Sequence, residues 1–176
     1  MVALKLLRCP LEPEATFAGR FLLEARALAK LTDTNIVTVF DFGESYGYYY
    51  LLMEFVDGVN LRQAMAGEQF TADEVLRIVP VVCGALQYAH KHGVLHRDIK
   101  PANILLNREG KVKMADFGLA KFVDDANPTG ALTRTEAALR TPAYMAPEQT
   151  ADPSGVDYQA DIYSLGVVHC PRVHTL

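Results

Sequence analysis

A long amphipathic helix that leads into a polar loop restricts the fold of this sequence more than any other feature. Thr71-Ala-Asp-Glu74 has capping-box spacing, in which the Thr hydroxyl and the Glu carboxylate satisfy backbone donors at a helix start. Pro101 cannot continue a helix, so we predict a loop for the sequence GVLHRDIKP that ends at this residue. Between them, to about His92, apolar residues recur at helical spacing at Val75, Leu76, Val79, Val82, Leu86 and Ala89.

Shorter elements are predicted on both sides of this helix. Two hairpins are expected because runs of β-branched and aromatic residues are separated by turn residues. The segment from Asp116 to Pro153 is predicted to be irregular, and such a long loop in a compact domain is usually functional. The elements are a strand Met1–Leu7; a helix Glu14–Leu31 with Phe17, Phe21, Leu22, Ala25, Leu28 and Leu31 on its apolar face; hairpins Ile36–Phe42 with Tyr48–Phe55 and Ile104–Leu106 with Lys111–Ala115; and a helix from about Tyr158 that holds Ile162, Leu165 and Val168.

The composition is that of one soluble globular domain. The 176 residues are 50% hydrophobic and 22% charged, which excludes disordered and fibrous chains. Lys and Arg number 17 against 21 Asp and Glu, so nucleic acid is not an expected partner. No apolar run approaches the roughly 20 residues that cross a bilayer, and no secretory signal is visible, so we expect no membrane segment in this chain. Three widely spaced cysteines, Cys9, Cys83 and Cys170, favour a reducing, cytoplasmic location.

Five motifs occur in a fixed order along the chain. They are VALK at Val2–Lys5, an acidic Glu24 in the following helix, HRDIKPAN at His96–Asn103, DFG at Asp116–Gly118 and APE at Ala146–Glu148. A single tripeptide is weak evidence, but the ordered set is specific. It resembles the catalytic domain of eukaryotic-type (Hanks-type) serine/threonine protein kinases, in a bacterial-looking form.

The resemblance implies an α+β, bilobal, protein-kinase-like fold over residues 1–168. Residues 1–55 would form a partial small lobe of antiparallel strands plus one helix, and residues 56–168 an incomplete, mainly helical large lobe. Residues 169–176 are expected to be a tail outside the family pattern. The implied activity is transfer of the ATP γ-phosphoryl group, with Mg²⁺, to a Ser or Thr hydroxyl of a protein substrate. The sequence makes no prediction of oligomeric state.

Roles for individual residues follow from the same resemblance. Lys5 and Glu24 would form an ion pair that holds an ammonium against the phosphates. Asp116 and Asn103 would supply the hard oxygen ligands that Mg²⁺ prefers. Asp98 would orient the acceptor hydroxyl and take its proton. Lys100 would stabilise the transferring phosphate. Plainer interpretations stay open, namely an exposed Lys, an unrelated helix Glu and Asx turns.

The adenine side of the site is implied by position alone. Met53 matches the family's gatekeeper, and Glu54 to Val56 match the hinge whose backbone meets the base. Leu105 matches the residue beneath the adenine. Ordinary core packing would select the same residue types at Met53 and Leu105.

Several residues near these motifs match regulatory or supporting positions. Arg97 resembles the arginine that pairs with a phosphate on the activation segment, and Thr133 or Thr135 is the hypothetical phosphate acceptor. Thr141 matches a threonine near the catalytic Asp, with Arg140 where the family usually has Gly. Asp161 matches the acidic residue that, in the family, braces the catalytic loop around Asp98. An alternative zinc site would use His90, His92 and His96.

Both ends of the chain depart from the family pattern. The sequence begins at the strand that bears Lys5, without the preceding strands and GxGxxG turn, so we expect weaker nucleotide binding. It ends in HCPRVHTL, where Pro171 would stop the last helix, and the family's Arg partner of Glu148 is not present. We expect an exposed apolar surface around Leu165 and Val168 and poor solubility. The alternative function is therefore an inactive or binding-only kinase fragment.

Overall fold

The protein is described here by a computed structural model that covers residues 1–8, 14–66, 72–117, 142–151 and 155–169. These residues form two three-stranded antiparallel sheets with helices packed against them. The α+β class expected from the sequence is confirmed.

The first sheet is built from strands β1 (Val2–Arg8), β2 (Val39–Ser45) and β3 (Tyr48–Glu54), in the order β1-β3-β2. Strands β2 and β3 form the predicted hairpin, but the turn is shorter than the sequence suggested. Only Tyr46 and Gly47 separate the strands, with φ of 51° and 75°, and Gly adopts such positive φ without steric cost. The sheet therefore continues further toward solvent than predicted.

Helix α1 (Glu14–Leu28) covers the inner face of this sheet. Its predicted apolar face is confirmed, since Phe17, Phe21 and Ala25 are all buried. The Phe17 and Phe21 rings lie 5.0 and 4.9 Å from the ring of Tyr49 on β3. These aromatic contacts fix the helix that carries Glu24 against the strand next to Lys5.

Strand β4 (Gly58–Asn60) begins the second sheet and leads into helix α2 (Leu61–Ala66). The sequence predicted only a break here, because Asp57-Gly58 is a turn signal. Gly58 in fact permits a close approach: a Cβ at this position would lie 1.9 Å from the carbonyl oxygen of Leu106. Strands β5 (Ile104–Asn107) and β6 (Val112–Met114) complete the sheet, and their predicted hairpin is confirmed.

Helix α3 (Ala72–Lys91) is the predicted long helix, although its buried face differs from the prediction. Leu76 is 56% exposed, not buried. The stripe that faces the core instead begins at Ile78, and Leu76 lies about 200° around the helix from that residue. Thr71 of the proposed capping box lies outside the described residues. The buried stripe consists of Ile78, Val82, Ala85, Leu86 and Ala89.

Backbone hydrogen bonds join the segment that precedes β2 to strand β6 of the second sheet. Ile36 forms a parallel bridge with Met114. The N–H of Val37 donates to the carbonyl of Met114 at 2.8 Å, and the N–H of Met114 donates to Asn35 at 2.7 Å. The segment between α1 and β2 is thus tied to the strand that leads into Asp116.

Among the described residues after β6, the helices are α4 (Pro147–Ala151) and α5 (Tyr158–His169), with a 3-10 turn at Pro142–Tyr144 before them. The start predicted for α5 is confirmed, but the prediction that Leu165 and Val168 lie on an exposed apolar surface of this helix is wrong. Both residues are buried, because this face of α5 packs into the main core. The exposed apolar residues of α5 are Tyr158, Ile162 and Tyr163. Within the described residues, no helix is both long and apolar enough to span a bilayer.

Candidate active site

The loop between α3 and β5 gathers the residues to which the sequence assigned catalysis. Asp98 and Lys100 form an ion pair, with 2.7 Å between Oδ2 and Nζ. Asn103, in a 3-10 turn that begins at Pro101, donates through Nδ2 to the Asp98 carbonyl at 2.7 Å and to Asp98 Oδ2 at 3.0 Å. The Asp98 carboxylate is therefore held by a cation and an amide, so its direction is fixed.

Asp161, at the first turn of α5, holds the loop from below. Its buried carboxylate accepts the backbone N–H of His96 at 2.9 Å and that of Arg97 at 2.7 Å, and His90 Nε2 lies 2.7 Å from Oδ2. Burial would raise the pKa of Asp161, but the hydrogen bonds from His90 and the two N–H groups outweigh it and lower this pKa below its usual value. Asp161 is thus an ionised acceptor at neutral pH, which agrees with the bracing position implied by the resemblance.

His96 is fully buried beneath this loop. Its ring lies 4.5 Å from the ring of Phe117, and its Nδ1 accepts the backbone N–H of Asp98 at 3.3 Å. Burial lowers the pKa of His96 although Asp161, Asp98 and Asp116 favour the charged form. A neutral imidazole therefore packs between the loop and the residue that follows Asp116.

Lys5 has a different partner from the one predicted. Its Nζ lies 2.7 Å from Oδ1 of Asp116, and no Lys5–Glu24 ion pair occurs among the described residues. Asp116 follows β6 with a φ of 63°, a turn that directs its carboxylate to β1. Glu24 instead lies close enough to Arg97 to favour the charged guanidinium, although burial is the larger effect and lowers the pKa of Arg97. At Lys5, the expected pair with Glu24 is thus replaced by an ion pair with Asp116.

Asn103 and Asp116 are brought close together, as a shared cation would require. The N–H of Ala115 donates to the Asn103 carbonyl at 2.9 Å, so the residue before Asp116 is bonded to the loop. The side-chain Nδ2 of Asn103 faces Asp98, which leaves Oδ1 available as an oxygen ligand. One amide oxygen and one carboxylate match the few hard ligands that Mg²⁺ takes from proteins. The donor set therefore fits Mg²⁺.

The histidine-based zinc site is not formed. His90 contacts Asp161, and His92 Nδ1 lies 2.8 Å from the carbonyl of Tyr88. His96 is packed against Phe117. In the part of the chain that the structure describes, no three His, Cys, Asp or Glu side chains form a group that could hold a metal.

The residues assigned to the adenine side lie on the two sheets. Met53, near the end of β3, lines a cavity of about 20 Å³ together with Asp116 and Phe117, which is room for about one water molecule. Glu54 follows and pairs with Lys113 on β6, with 2.8 Å between Oε2 and Nζ. Val56 and Leu105 are partly buried, and Leu105 is paired with Asn60 and Lys113 in the second sheet. This set lies where the two sheets meet.

Sequence reasoning missed three residues that shape this site: His90 as a partner of Asp161, Lys113 as a partner of Glu54, and Gln149. Gln149 donates through Nε2 to the carbonyl of Arg97 at 2.9 Å. Its position three residues after Ala146 is a helix-capping signal, but nothing local in the sequence indicates its contact with the loop. Glu148 is exposed and forms no ion pair with any described residue.

Comparison with known proteins identifies this arrangement. The protein kinase domain family matches residues 1–173 of the chain. The chain belongs to this family. The kinase domain is 41% identical over 170 residues to a probable serine/threonine-protein kinase of Streptomyces coelicolor, and the match covers 94% of this chain and 25% of that protein. It is 39% identical over 172 residues to the serine/threonine-protein kinase PknB of Mycobacterium tuberculosis, which covers 95% of this chain and 27% of that protein.

Solved structures agree with the sequence relatives. The crystal structure of the PknI kinase domain of Mycobacterium tuberculosis superposes with a TM-score of 0.74 at 35% identity and covers 96% of this chain and 61% of that chain. The kinase domain described here thus spans about a quarter of the length of the curated relatives it matches. Besides Thr71, several residues singled out in the sequence lie outside the described residues, namely Cys9, Gly118, Thr133, Thr135, Arg140, Thr141, Cys170 and Pro171.

Proposed function

We propose that this kinase domain transfers the γ-phosphoryl group of ATP to a serine or threonine hydroxyl of a protein substrate. One observation carries the proposal: the Asp98 carboxylate is held by Lys100 at 2.7 Å and by Asn103 at 3.0 Å, in a loop bonded to the segment that ends at Asp116. The arrangement unites a proton acceptor, a cation and two metal-binding oxygens. The naming of the relatives as serine/threonine kinases supports the same acceptor class.

In the proposed reaction, the acceptor oxygen forms a bond to the γ-phosphorus while the bond from this phosphorus to the bridging oxygen of ADP breaks. The hydroxyl proton passes to the carboxylate of Asp98. Lys100 offsets negative charge on the transferring group, and Lys5 does so on the remaining phosphates. The products are a phosphorylated side chain, ADP and a proton.

Asn103 and Asp116 are proposed to hold Mg²⁺, which when bound neutralises charge on the phosphate oxygens. We propose that Met53, Glu54, Val56 and Leu105 contact the adenine. For Glu54, the ion pair with Lys113 supports this role, because it fixes the side chain at the end of β3, where the two sheets meet.

A cytoplasmic location and a protein substrate complete the proposal. The family implies protein substrates, and the free, exposed thiol of Cys83 fits a reducing compartment. Residues 1–55 and 56–168 are proposed as the two lobes, with 169–176 outside them.

A second candidate function is nucleotide binding without phosphate transfer. It is favoured by the ion pair between Lys5 and Asp116 at 2.7 Å, because this pair engages one residue proposed for the phosphates and one proposed for Mg²⁺ but none of the residues proposed for the adenine. Under this alternative, nucleotide would stabilise the domain but no acceptor would be phosphorylated.

Thermal unfolding with and without Mg-ATP tests the nucleotide site. Ligand at about 100 times its dissociation constant should add roughly 2.7 kcal/mol to a protein that binds only when folded. The shift should require Mg²⁺ and should disappear in Asp116→Asn. A cooperative transition that Mg-ATP leaves unchanged would contradict the proposal.

Phosphate transfer is then measured with radiolabelled ATP and a mixture of Ser- and Thr-containing peptides. The wild-type chain should label the peptides, whereas Asp98→Asn should bind nucleotide without labelling them. A thermal shift without transfer in the wild type would favour the second candidate function.

A further inference from the structure

The backbone of Arg97, the residue before Asp98, is held in an uncommon conformation. Its φ is 65°, in the left-handed region that non-glycine residues seldom adopt. Such a conformation persists only when the surrounding structure fixes it. Two side chains from other elements do so: Asp161 accepts the Arg97 N–H at 2.7 Å, and Gln149 donates to the Arg97 carbonyl at 2.9 Å.

The contact made by Gln149 acts on the peptide group that carries Asp98. The carbonyl of Arg97 and the N–H of Asp98 belong to one planar peptide unit. The N–H end is bonded to His96 Nδ1 at 3.3 Å, and the carbonyl end to Gln149 Nε2. Because both ends of the plane are bonded, its rotation is restricted, and this rotation sets the direction of the Asp98 side chain.

Gln149 is itself fixed by the start of α4. Its Oε1 accepts the N–H of Ala146 at 3.0 Å, and its own N–H donates to the carbonyl of Ala146 at 3.0 Å. The side-chain amide therefore uses its oxygen on the segment that begins α4 and its nitrogen on the catalytic loop. It connects two segments separated by 52 positions in the sequence.

We propose that Gln149 is a positioning residue: by donating to the Arg97 carbonyl, it aligns the carboxylate of Asp98. The proposal rests on the proposed kinase function. Its competitor is a role in helix capping alone, for which only the bond from Ala146 would matter.

Substitution of Gln149 by Glu separates the two roles. A Glu side chain keeps an oxygen for the Ala146 N–H and is favourable near a helix N-terminus. It has no N–H to donate and places a carboxylate against the Arg97 carbonyl oxygen. Gln159→Glu, on the exposed first turn of α5, introduces the same charge away from the loop and is the matched control.

The experiment measures kcat and the KM for ATP for the wild type, Gln149→Glu and Gln159→Glu with the peptide mixture. We expect kcat of Gln149→Glu to fall about 10- to 100-fold, because small misplacements of a reacting group have effects of this size. Its KM for ATP should stay within about twofold of the wild type, because Asp98 acts on the acceptor hydroxyl. An unchanged kcat, or a loss confined to the KM for ATP, would overturn the proposal.

Hydrogen exchange of the Asp98 amide separates failure of this inference from failure of the proposed function. A wild-type chain that transfers no phosphate would refute the kinase function only. Faster Asp98 exchange in Gln149→Glu than in Gln159→Glu would then still support the positioning role, and equal rates would refute it. Should Gln149→Glu fail to fold, Gln149→Asn serves instead, since the shorter amide no longer spans both partners.

Discussion

The first sheet and the loop between α3 and β5 hold the side chains proposed for catalysis in opposite ways. Lys5 lies on a strand with uninterrupted backbone pairing, from Val2 opposite Glu54 to Arg8 opposite Tyr48. Asp98 lies in a loop whose backbone is bonded by side chains from α4 and α5. The sheet therefore tolerates changes at single side chains, whereas the loop depends on a few residues far away in the sequence.

The largest effect should come from Asp161→Asn. The amide replaces one carboxylate oxygen by an NH₂ group, which cannot accept the N–H of His96 or Arg97. We expect a loss of about 3 kcal/mol in the free energy of unfolding, as for other broken buried ionic networks. Urea unfolding at pH 7 measures it.

Asp57→Asn is the control for this substitution. Asp57 pairs with Arg108 at 3.0 Å on the surface, and both side chains are mostly exposed. Its replacement should change stability by less than about 0.5 kcal/mol. Equal effects of the two substitutions would remove the contrast between the loop and the exposed surface.

A second test concerns backbone pairing beside the loop. Gly58→Ala would place a Cβ 1.9 Å from the Leu106 carbonyl oxygen, so β4 must move away from β5. We expect a loss of about 2 kcal/mol. Gly84→Ala, in the interior of α3 with no atom within 4 Å of the new Cβ, should instead stabilise by about 0.5–1 kcal/mol. Thermal unfolding of both variants checks the opposite signs.

The buried imidazole of His96 predicts how stability depends on pH. Its pKa in the folded protein is lowered by burial, whereas its pKa in the unfolded chain is about 6.5. Protonation of His96 therefore does not reduce the free energy of unfolding above about pH 6.5. As the pH falls from there toward the folded pKa, the free energy of unfolding decreases by at most about 1.4 kcal/mol per pH unit.

Denaturant unfolding of the wild type and His96→Phe between pH 7 and pH 5 measures this contribution. The Phe ring keeps a partner for Phe117 but cannot take a proton. The wild type should lose more stability than the variant across this range. Asp161, whose pKa is lowered below that of an ordinary Asp, affects stability only at more acidic pH. Parallel slopes for the two proteins would contradict the prediction.

The smallest effect is expected on β1. Leu4 is 60% exposed, and Thr is a β-branched residue of the kind that strands favour. Leu4→Thr should change the free energy of unfolding by less than about 0.5 kcal/mol. A loss several times larger in urea unfolding would mean that the first sheet depends on single side chains as the loop does.

Local patterns predicted most of the elements but few of the contacts. Both hairpins, α1 and the start of α5 followed from periodicity and turn residues. Strand β4 was missed because Gly58 signals a turn, although here it permits two strands to approach closely. The buried faces of α3 and α5 depend on which element packs against them, and periodicity alone could not fix that.

The site divides in the same way. The residues Asp98, Asn103 and Asp116 were singled out by motif, and the structure brings the segment that ends at Asp116 beside the loop that holds Asp98 and Asn103. The partner of Lys5 was not predicted correctly, because the choice between Glu24 and Asp116 depends on how α1 lies against the sheet. Gln149 and Lys113 act through contacts between distant segments, which no local pattern records.

The backbone bonds between residues 35–37 and Met114 define a pivot between the two sheets. Met114 lies two residues before Asp116, so the backbone joint between β6 and the segment that precedes β2 also positions the carboxylate proposed to hold Mg²⁺. If one sheet rotated relative to the other, the axis would pass close to this joint, so groups beside the joint would move little. Asp116 and the Lys5 ammonium group paired with it at 2.7 Å would therefore stay nearly still, while groups far from this joint, such as the turn at Tyr46 and Gly47, would move furthest.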